Sequence, residues 1–399
     1  MKRIYLDHAA ATPLDEKVLR EMKPFFSDIF SNPSSLHSGG VAAKQAITGA
    51  KNNVAKTIFA HPDEAIFTSG GTEANNLAIF GVCEANTDKK HIMTVKTEHS
   101  SVLEPVKALE KKGWKVTYLT VSAEGFIDLR ELKKMISKEA VLISVMFANN
   151  EIGTIQNLSE VGKIILKYRK ENNTGFPYIH SDACQAAEYL RLNVEKTHVD
   201  LMTFNGGKIY GPKGVGALYV RRGVKIMPII LGGGQEGDLR SGTENVPGIV
   251  GFAKALDVAQ KKCEKETERI VKLSGYFFDK IIKISPNAVL NGPQLGNDRL
   301  ANNLNVSFPG VEAEKLVIYL DSSGVQCSTA SACTARTNEP SHVLEAIGKS
   351  NELNSSAVRF SLGRETTKKD LDSAALVLKT AIKLCAEKNN VFASSLSYK

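Results

Sequence analysis

Lys208 lies in Asn205-Gly-Gly-Lys-Ile-Tyr-Gly211, between two runs of strand type, Val199 to Asn205 and Gly216 to Val220. A lysine held on a glycine turn, away from a free helix face, can be desolvated; its amine then loses a proton and attacks an aldehyde. A surface lysine beside a loop is the alternative that this run alone leaves open. Thr68-Ser-Gly-Gly-Thr72 follows another strand-type run and opens a helical pattern. Backbone N–H groups and the helix dipole favour an anion such as a phosphate at such a place, and Thr72 adds a hydroxyl. A plain glycine turn with a threonine N-cap explains the same residues.

Four further positions carry chemistry. Asp182 closes the run Tyr178 to Asp182; it is either a helix cap or a ligand-facing acid, and beside a pyridine nitrogen a carboxylate keeps that ring protonated and electron-withdrawing. His99 follows the run His91 to Val95, where an imidazole suits stacking or proton transfer, although a lone histidine is more often a structural hydrogen-bonder. Cys333 sits in Cys327-Ser-Thr-Ala-Ser-Ala-Cys333-Thr-Ala-Arg, a stretch too small and polar to form a core, which makes its thiol a candidate nucleophile. Cys83, Cys263 and Cys385 fall in helical patterns and read as packing, whereas Cys184 and Cys327 read either way. Arg359 interrupts the apolar run Ala357 to Ser361; a buried guanidinium needs an anion, either a substrate carboxylate or an internal acid.

Two phosphate-loop patterns fail on context. Gly232-Gly-Gly-Gln-Glu-Gly237 matches G-x-G-x-x-G, but the turn-rich residues after it open no helix. Gly206 to Gly211 begins like a P-loop, but Pro212 occupies the lysine position. The six cysteines include no CxxC pair, which argues against a zinc ribbon or a disulfide framework. No apolar run approaches membrane-spanning length, and the opening Met-Lys-Arg-Ile-Tyr-Leu-Asp7 does not read as a secretion signal, so a cytoplasmic location is expected. The net charge of +8 comes without a basic block interleaved with aromatics, so no direct nucleic-acid binding is expected.

The elements that must position these residues are legible in the hydrophobic pattern. Strand-type runs at 64–69, 91–95, 115–121, 140–148, 178–182 and 199–205 are separated, in several cases, by helical patterns at 72–85, 100–112, 128–137 and 159–171. This alternation predicts an α/β fold with a mainly parallel sheet covered by helices on both faces, and functional groups at the carboxyl ends of the strands. From Pro247 a long amphipathic helix runs to about Ile284, and the remainder mixes strands (302–308, 357–361) with helices, as in a smaller α+β domain. Residues 15–260 are expected to form the large domain, and 1–14 plus 261–399 the small one.

Taken together, these segments resemble the NifS/IscS-type cysteine desulfurases, enzymes of the class V aminotransferase family that use pyridoxal 5'-phosphate. The resemblance runs from Tyr5-Leu-Asp-His-Ala-Ala-Ala-Thr-Pro13 to about Arg364 and includes Asn32-Pro-Ser-Ser-Leu-His37, Asn149-Asn-Glu-Ile-Gly153, Arg240-Ser-Gly-Thr-Glu-Asn245 and Glu339-Pro-Ser-His-Val-Leu344. It implies the pyridoxal-phosphate-dependent transferase fold and a homodimer. It also implies roles: Lys208 for the Schiff base, Gly71, Thr72 and Asn205 for the phosphate, His99 for stacking and for the substrate thiol, and Asp182 for the pyridine nitrogen. Gln185 and Asn150 would lie near the ring hydroxyl, Asn150 and Arg359 near the substrate carboxylate. Thr243 would reach the phosphate of the neighbouring subunit, and Cys333 would take sulfur from L-cysteine as a persulfide and pass it to an acceptor protein, an iron–sulfur scaffold or a tRNA-thiolation enzyme. No metal ligands are implied.

The chain departs from the family pattern in two places. Asn205-Gly206-Gly207 stands where Ser-Gly-His is usual, which removes an imidazole from the expected phosphate contacts. Asp238 stands where a glycine is common before Leu-Arg-Ser-Gly-Thr. Competing readings are a selenocysteine lyase or cysteine-sulfinate-type lyase on the same fold, which need not depend on the loop thiol, and a partner-binding relative without activity, against which the combination of Lys208, His99, Asp182, Cys333 and Arg359 argues.

Overall fold

The structure is a computed structural model that describes residues 3–329 and 340–396. Cys333 therefore lies outside the described residues.

Apolar β-type runs between helices assemble into a seven-stranded sheet. Its order is Ala65–Thr68, Gly216–Val220, Leu201–Asn205, Tyr178–Asp182, Ala140–Ser144, His91–Val95, Lys115–Leu119. The last five pair in parallel, and Gly216–Val220 runs antiparallel to both of its neighbours. Successive residues feed opposite faces: Phe67, Met93 and Ile143 join the larger core, and Ile66, Ile92 and Leu142 join the other. Both faces are buried, as a sheet with parallel crossovers requires. Helices Ser38–Ile58, Leu158–Glu171 and Val246–Ile284 contribute to the larger core, and Ser100–Lys111 to the smaller.

The expected strands and helices appear with small shifts. The strand expected at 140–148 ends at Ser144, because the chain then leaves the sheet for a turn around Asn149, whose Oδ1 accepts the N–H groups of Glu151 and Ile152. The single helix expected at 72–85 is broken by a π turn, Leu77–Gly81, where Gly81 backs onto Met227: a Cβ at Gly81 would stand 2.5 Å from the Met227 carbonyl oxygen.

The second part of the chain forms a four-stranded antiparallel sheet in the order Ser328–Thr329, Ala357–Ser361, Asn303–Ser307, Val289–Leu290. Helix Val246–Ile284 links the two parts and runs unbroken through residue 260, the expected boundary. Asn245 caps it by accepting the N–H of Gly248 at 3.1 Å. The N-terminal segment crosses between the two parts: Ile4–Tyr5 pairs in parallel with Val325–Gln326, and Asp7 bridges to Ser361. It thereby brings residues 7–12 over the carboxyl ends of the parallel strands.

Candidate active site

A cavity of about 210 Å³ opens at the carboxyl ends of the parallel strands. Gly71, Thr72, His99, Asn150, Asp182, Gln185, Asn205, Lys208 and Arg359 all line it, so nine of the residues singled out from the sequence come together. Thr243 does not: it is exposed on the loop that precedes helix Val246–Ile284.

Lys208 ends a short 3₁₀ turn, Gly206–Lys208, that directly follows strand Leu201–Asn205. The Asn205 Oδ1 accepts the Gly207 N–H at 3.1 Å and closes the turn. Gly206 is required there, since a Cβ would lie 2.6 Å from the Pro212 carbonyl oxygen. The lysine Nζ donates to the carbonyl oxygens of Ala9 at 2.9 Å and Ala10 at 2.5 Å. Gln185 Nε2 donates to the same Ala9 oxygen at 2.9 Å. These contacts reach almost two hundred residues along the chain, and no local pattern announces them.

Gly71 opens helix Gly71–Asn76 immediately beyond strand Ala65–Thr68. The turn is packed from below by Cys184, whose Sγ would stand 2.7 Å from a Cβ at Gly71. Cys184 thus lines the cavity, but burial and the nearby Asp182 carboxylate hold its pKa well above the usual thiol range. It is a neutral packing group at the floor of the turn. Burial likewise raises the pKa of Cys327. Cys83, Cys263 and Cys385 are buried, in line with packing.

Asp182, 6% exposed, accepts the Cys184 N–H through Oδ1 at 2.9 Å and the Asn75 Nδ2 through Oδ2 at 2.7 Å. Asn75 Nδ2 also donates to Ser101 Oγ at 2.8 Å, and Ser101 Oγ stands 2.8 Å from His99 Nδ1. His99 caps helix Ser100–Lys111, its Nδ1 accepting the Ser101 N–H at 3.1 Å. With Nδ1 accepting, the neutral ring carries its proton on Nε2. Burial pushes the His99 pKa down, against the pull of Asp182, and favours that neutral form.

Glu98, just before it, is fully buried; Oε1 accepts the Met146 N–H at 2.7 Å, and burial together with Asp182 raises its pKa to about 8. Asn75, Glu98 and Ser101 are site residues that sequence reasoning missed. For Asn75 a signal existed: it lies one helical turn beyond Gly71, on the face that must look back toward the anion turn.

Arg359 pairs with an internal acid and also reaches the cavity. Nη2 pairs with Asp7 Oδ1 at 2.9 Å and Nη1 donates to the Asn150 carbonyl oxygen at 3.0 Å, yet the residue also lines the cavity. Its Nε is buried with no protein partner. The two rejected phosphate-loop patterns stay rejected: no helix begins at Gly237, and Gly206–Gly211 is the Lys208 turn. Among the described residues no cluster of three metal-type ligands occurs, and no helix is long and apolar enough to cross a membrane.

Comparison with known proteins agrees with this geometry. Residues 4–373 match the family model for aminotransferase class-V. A cysteine desulfurase IscS from Dictyoglomus turgidum is 49% identical over 384 residues, covering 96% of this chain and 95% of the relative. One from Methanosarcina thermophila is 44% identical over 372 residues, covering 93% of this chain and 90% of the relative. Among solved structures, a NifS-like protein superposes with a TM-score of 0.89 at 36% identity, covering 96% of this chain and 100% of that one. A match of this length, through both sheets and every segment that lines the cavity, shows that the chain belongs to the class-V aminotransferase family.

Proposed function

We propose that this chain is a pyridoxal-phosphate-dependent cysteine desulfurase, releasing L-alanine from L-cysteine and holding the sulfur as a persulfide on Cys333. The observation that carries the reading is the convergence of Lys208, His99, Asp182 and Arg359 on one cavity whose floor is the Gly71 turn. The relatives named as cysteine desulfurases support it over nearly the whole chain.

The residues fit the cofactor by their chemistry. Lys208 offers an amine, Asp182 a carboxylate, and the N–H groups at the start of the Gly71 helix, with Thr72 and Asn205, offer donors to a phosphate. His99 offers a ring face, and Gln185 and Asn150 line the same cavity. Bound there, pyridoxal phosphate would supply an aldehyde and a protonated ring able to take up the electrons released at the substrate Cα.

The chain's own residues do the rest. Arg359 would hold the substrate carboxylate through guanidinium N–H groups that Asp7 and Asn150 leave uncommitted. Lys208 would move the proton at Cα. His99, kept neutral by burial with its proton on Nε2, would stack on the cofactor ring and donate that Nε2–H to the substrate sulfur. Cys333, as a thiolate, would attack the substrate sulfur; the S–S bond of the persulfide forms as the C–S bond breaks. Residues 15–260 would form the cofactor domain, and 1–14 with 261–399 the smaller one. Thr243, exposed on its loop, would complete the phosphate site of a second copy in a cytoplasmic homodimer. An iron–sulfur scaffold or a tRNA-thiolation enzyme would receive the sulfur.

Purified holoenzyme incubated with L-cysteine should release alanine and add one sulfur to the Cys333 peptide by mass. Absence of both refutes the reading. Cys333→Ala should abolish cysteine turnover; retained selenocysteine turnover in that variant, with little cysteine turnover in the wild type, would favour a selenocysteine lyase. Lys208→Ala should lose the cofactor's covalent attachment, and with it the yellow colour of the bound lysine adduct.

A further inference from the structure

We propose that Asp7 is a positioning residue that orients the Arg359 guanidinium to receive the α-carboxylate of an amino-acid substrate. The inference rests on the reading of Arg359 as the carboxylate-binding group and goes on to say what aims it.

The Arg359 backbone is fixed at the middle of the strand Ala357–Ser361, paired with Asn305 on one side and Ser328 on the other. Its side chain is only 4% exposed, so the guanidinium needs a nearby negative charge to stay in place. Asp7 Oδ1 supplies it at 2.9 Å. The other acid that feels this arginine is Glu151, but its Oε2 accepts the Ser341 hydroxyl at 2.5 Å, and it makes no ion pair with Arg359 among the described residues. The Asn150 carbonyl oxygen fixes Nη1, so the plane of the guanidinium is set by two contacts from segments far apart in the sequence.

The Asp7 carboxylate is not needed to hold its own backbone. Main-chain bonds already tie the segment down: Leu6 N–H donates to the Gln326 oxygen, His8 N–H to the Ser361 oxygen, and Ser361 N–H to the Leu6 oxygen. Ala9 N–H donates to Ser361 Oγ at 2.9 Å. The carboxylate's one hydrogen-bond partner among the described residues is Arg359. A charge kept at a largely buried site, on a turn that is stable without it, serves the group it touches. That turn also receives Lys208 on the Ala9 and Ala10 oxygens, so Asp7 sets the position of the guanidinium relative to the amine.

The test compares a ligand that carries the α-carboxylate, L-alanine, with one that lacks it, cysteamine. Each is titrated into wild-type, Asp7→Asn and Asp7→Ala holoenzyme while the cofactor's absorbance is followed. Loss of a charge-assisted contact of this kind should weaken L-alanine binding roughly tenfold in the variants and leave cysteamine within about twofold. A purely structural role would weaken both ligands alike, and that result overturns the proposal. So does unchanged or tighter L-alanine binding, which would make Asp7 idle or a competitor of the substrate. If Asp7→Ala fails to fold, Asp7→Asn, which keeps the shape, decides the matter. A wild-type enzyme that binds both ligands but releases no alanine from L-cysteine refutes the desulfurase reading, while the ratio between the two ligands still tests Asp7.

Discussion

Asn75 Nδ2 donates to Asp182 Oδ2 at 2.7 Å, and through the same nitrogen to Ser101 Oγ at 2.8 Å, so that the acid and the His99 ring are wired together through two buried side chains. Asn75 is fully buried. Asn75→Ala would leave Asp182 with one donor fewer and free the Ser101 hydroxyl to turn away from His99. Loss of a buried hydrogen bond to a charged group costs about 1.5–3 kcal/mol. Weaker cofactor binding of that order, measured by titrating apoenzyme, is the expected outcome, with a shifted absorbance band for the residual bound form. A variant with wild-type affinity and spectrum would show that Asp182 is held by other means.

Gly207 has room for the Cβ of the histidine that the family pattern leads one to expect. A Cβ there would meet Lys213 Cγ at 3.5 Å and Asn205 Oδ1 at 3.6 Å, both ordinary contacts. Gly207→His therefore meets no clash at its Cβ and should tighten cofactor binding by about 0.5–3 kcal/mol, the value of one restored hydrogen bond. Equilibrium titration of apoenzyme checks it, and unchanged or weaker affinity would mean that no contact is missing.

Asp238 has a φ of +66°, the left-handed region that favours glycine. This backbone suits the glycine that the family pattern leads one to expect there: a side chain costs backbone energy that glycine avoids. Asp238→Gly is expected to stabilise the chain by up to about 1 kcal/mol, part of the gain being offset by the freer unfolded chain. Urea unfolding of the two forms measures the difference, and a loss of stability would reveal an interaction of the Asp238 carboxylate that outweighs the strain.

Glu98 makes stability depend on pH in a known direction. Burial and the Asp182 charge raise its pKa from 4.5 to about 8. Between those values the folded chain keeps a proton that the unfolded chain has released. Stability attributable to this group therefore falls as pH rises from about 4.5 and levels off above about 8, with a limiting slope of about 1.4 kcal/mol per pH unit. Glu98→Gln removes the titration, so its unfolding free energy should fall less than that of the wild type between pH 6 and pH 8. Parallel slopes in the two proteins would show that Glu98 does not carry this proton.

How much of this was legible in the sequence follows from the range of the contacts. Lys208, Asp182, His99 and Gly71 announce themselves because each ends or follows an apolar strand run, and strand ends in a parallel sheet share one edge. Helix and strand positions were readable for the same reason, and the seven-stranded sheet uses all the expected runs. The N-terminal turn was legible only as part of a family motif. Its contacts to Lys208 and Arg359 join residues 199 and 352 positions apart, and nothing in the local pattern of residues 7–11 says that their carbonyls face a cavity. Glu98 was hidden differently: an acid before a histidine at a strand end looks like a solvated loop residue until the Met146 N–H and full burial are seen. The π turn at Leu77–Gly81 has no sequence signal beyond Gly81, since its cause is the close approach of Met227.

The turn at residues 7–11 also fixes when, during synthesis, a working site can exist. Asp7 leaves the ribosome 352 residues ahead of Arg359 and the strand that pins the turn through Ser361. The parallel sheet, complete by Val220, can fold on the nascent chain with Lys208 already on its 3₁₀ turn and Thr12 held by the Gly207 oxygen, but the bonds from His8 N–H and Ala9 N–H to Ser361 form only once that strand emerges. A nascent chain stalled short of that strand would hold the amine and the acid, yet lack the frame that sets them against the guanidinium.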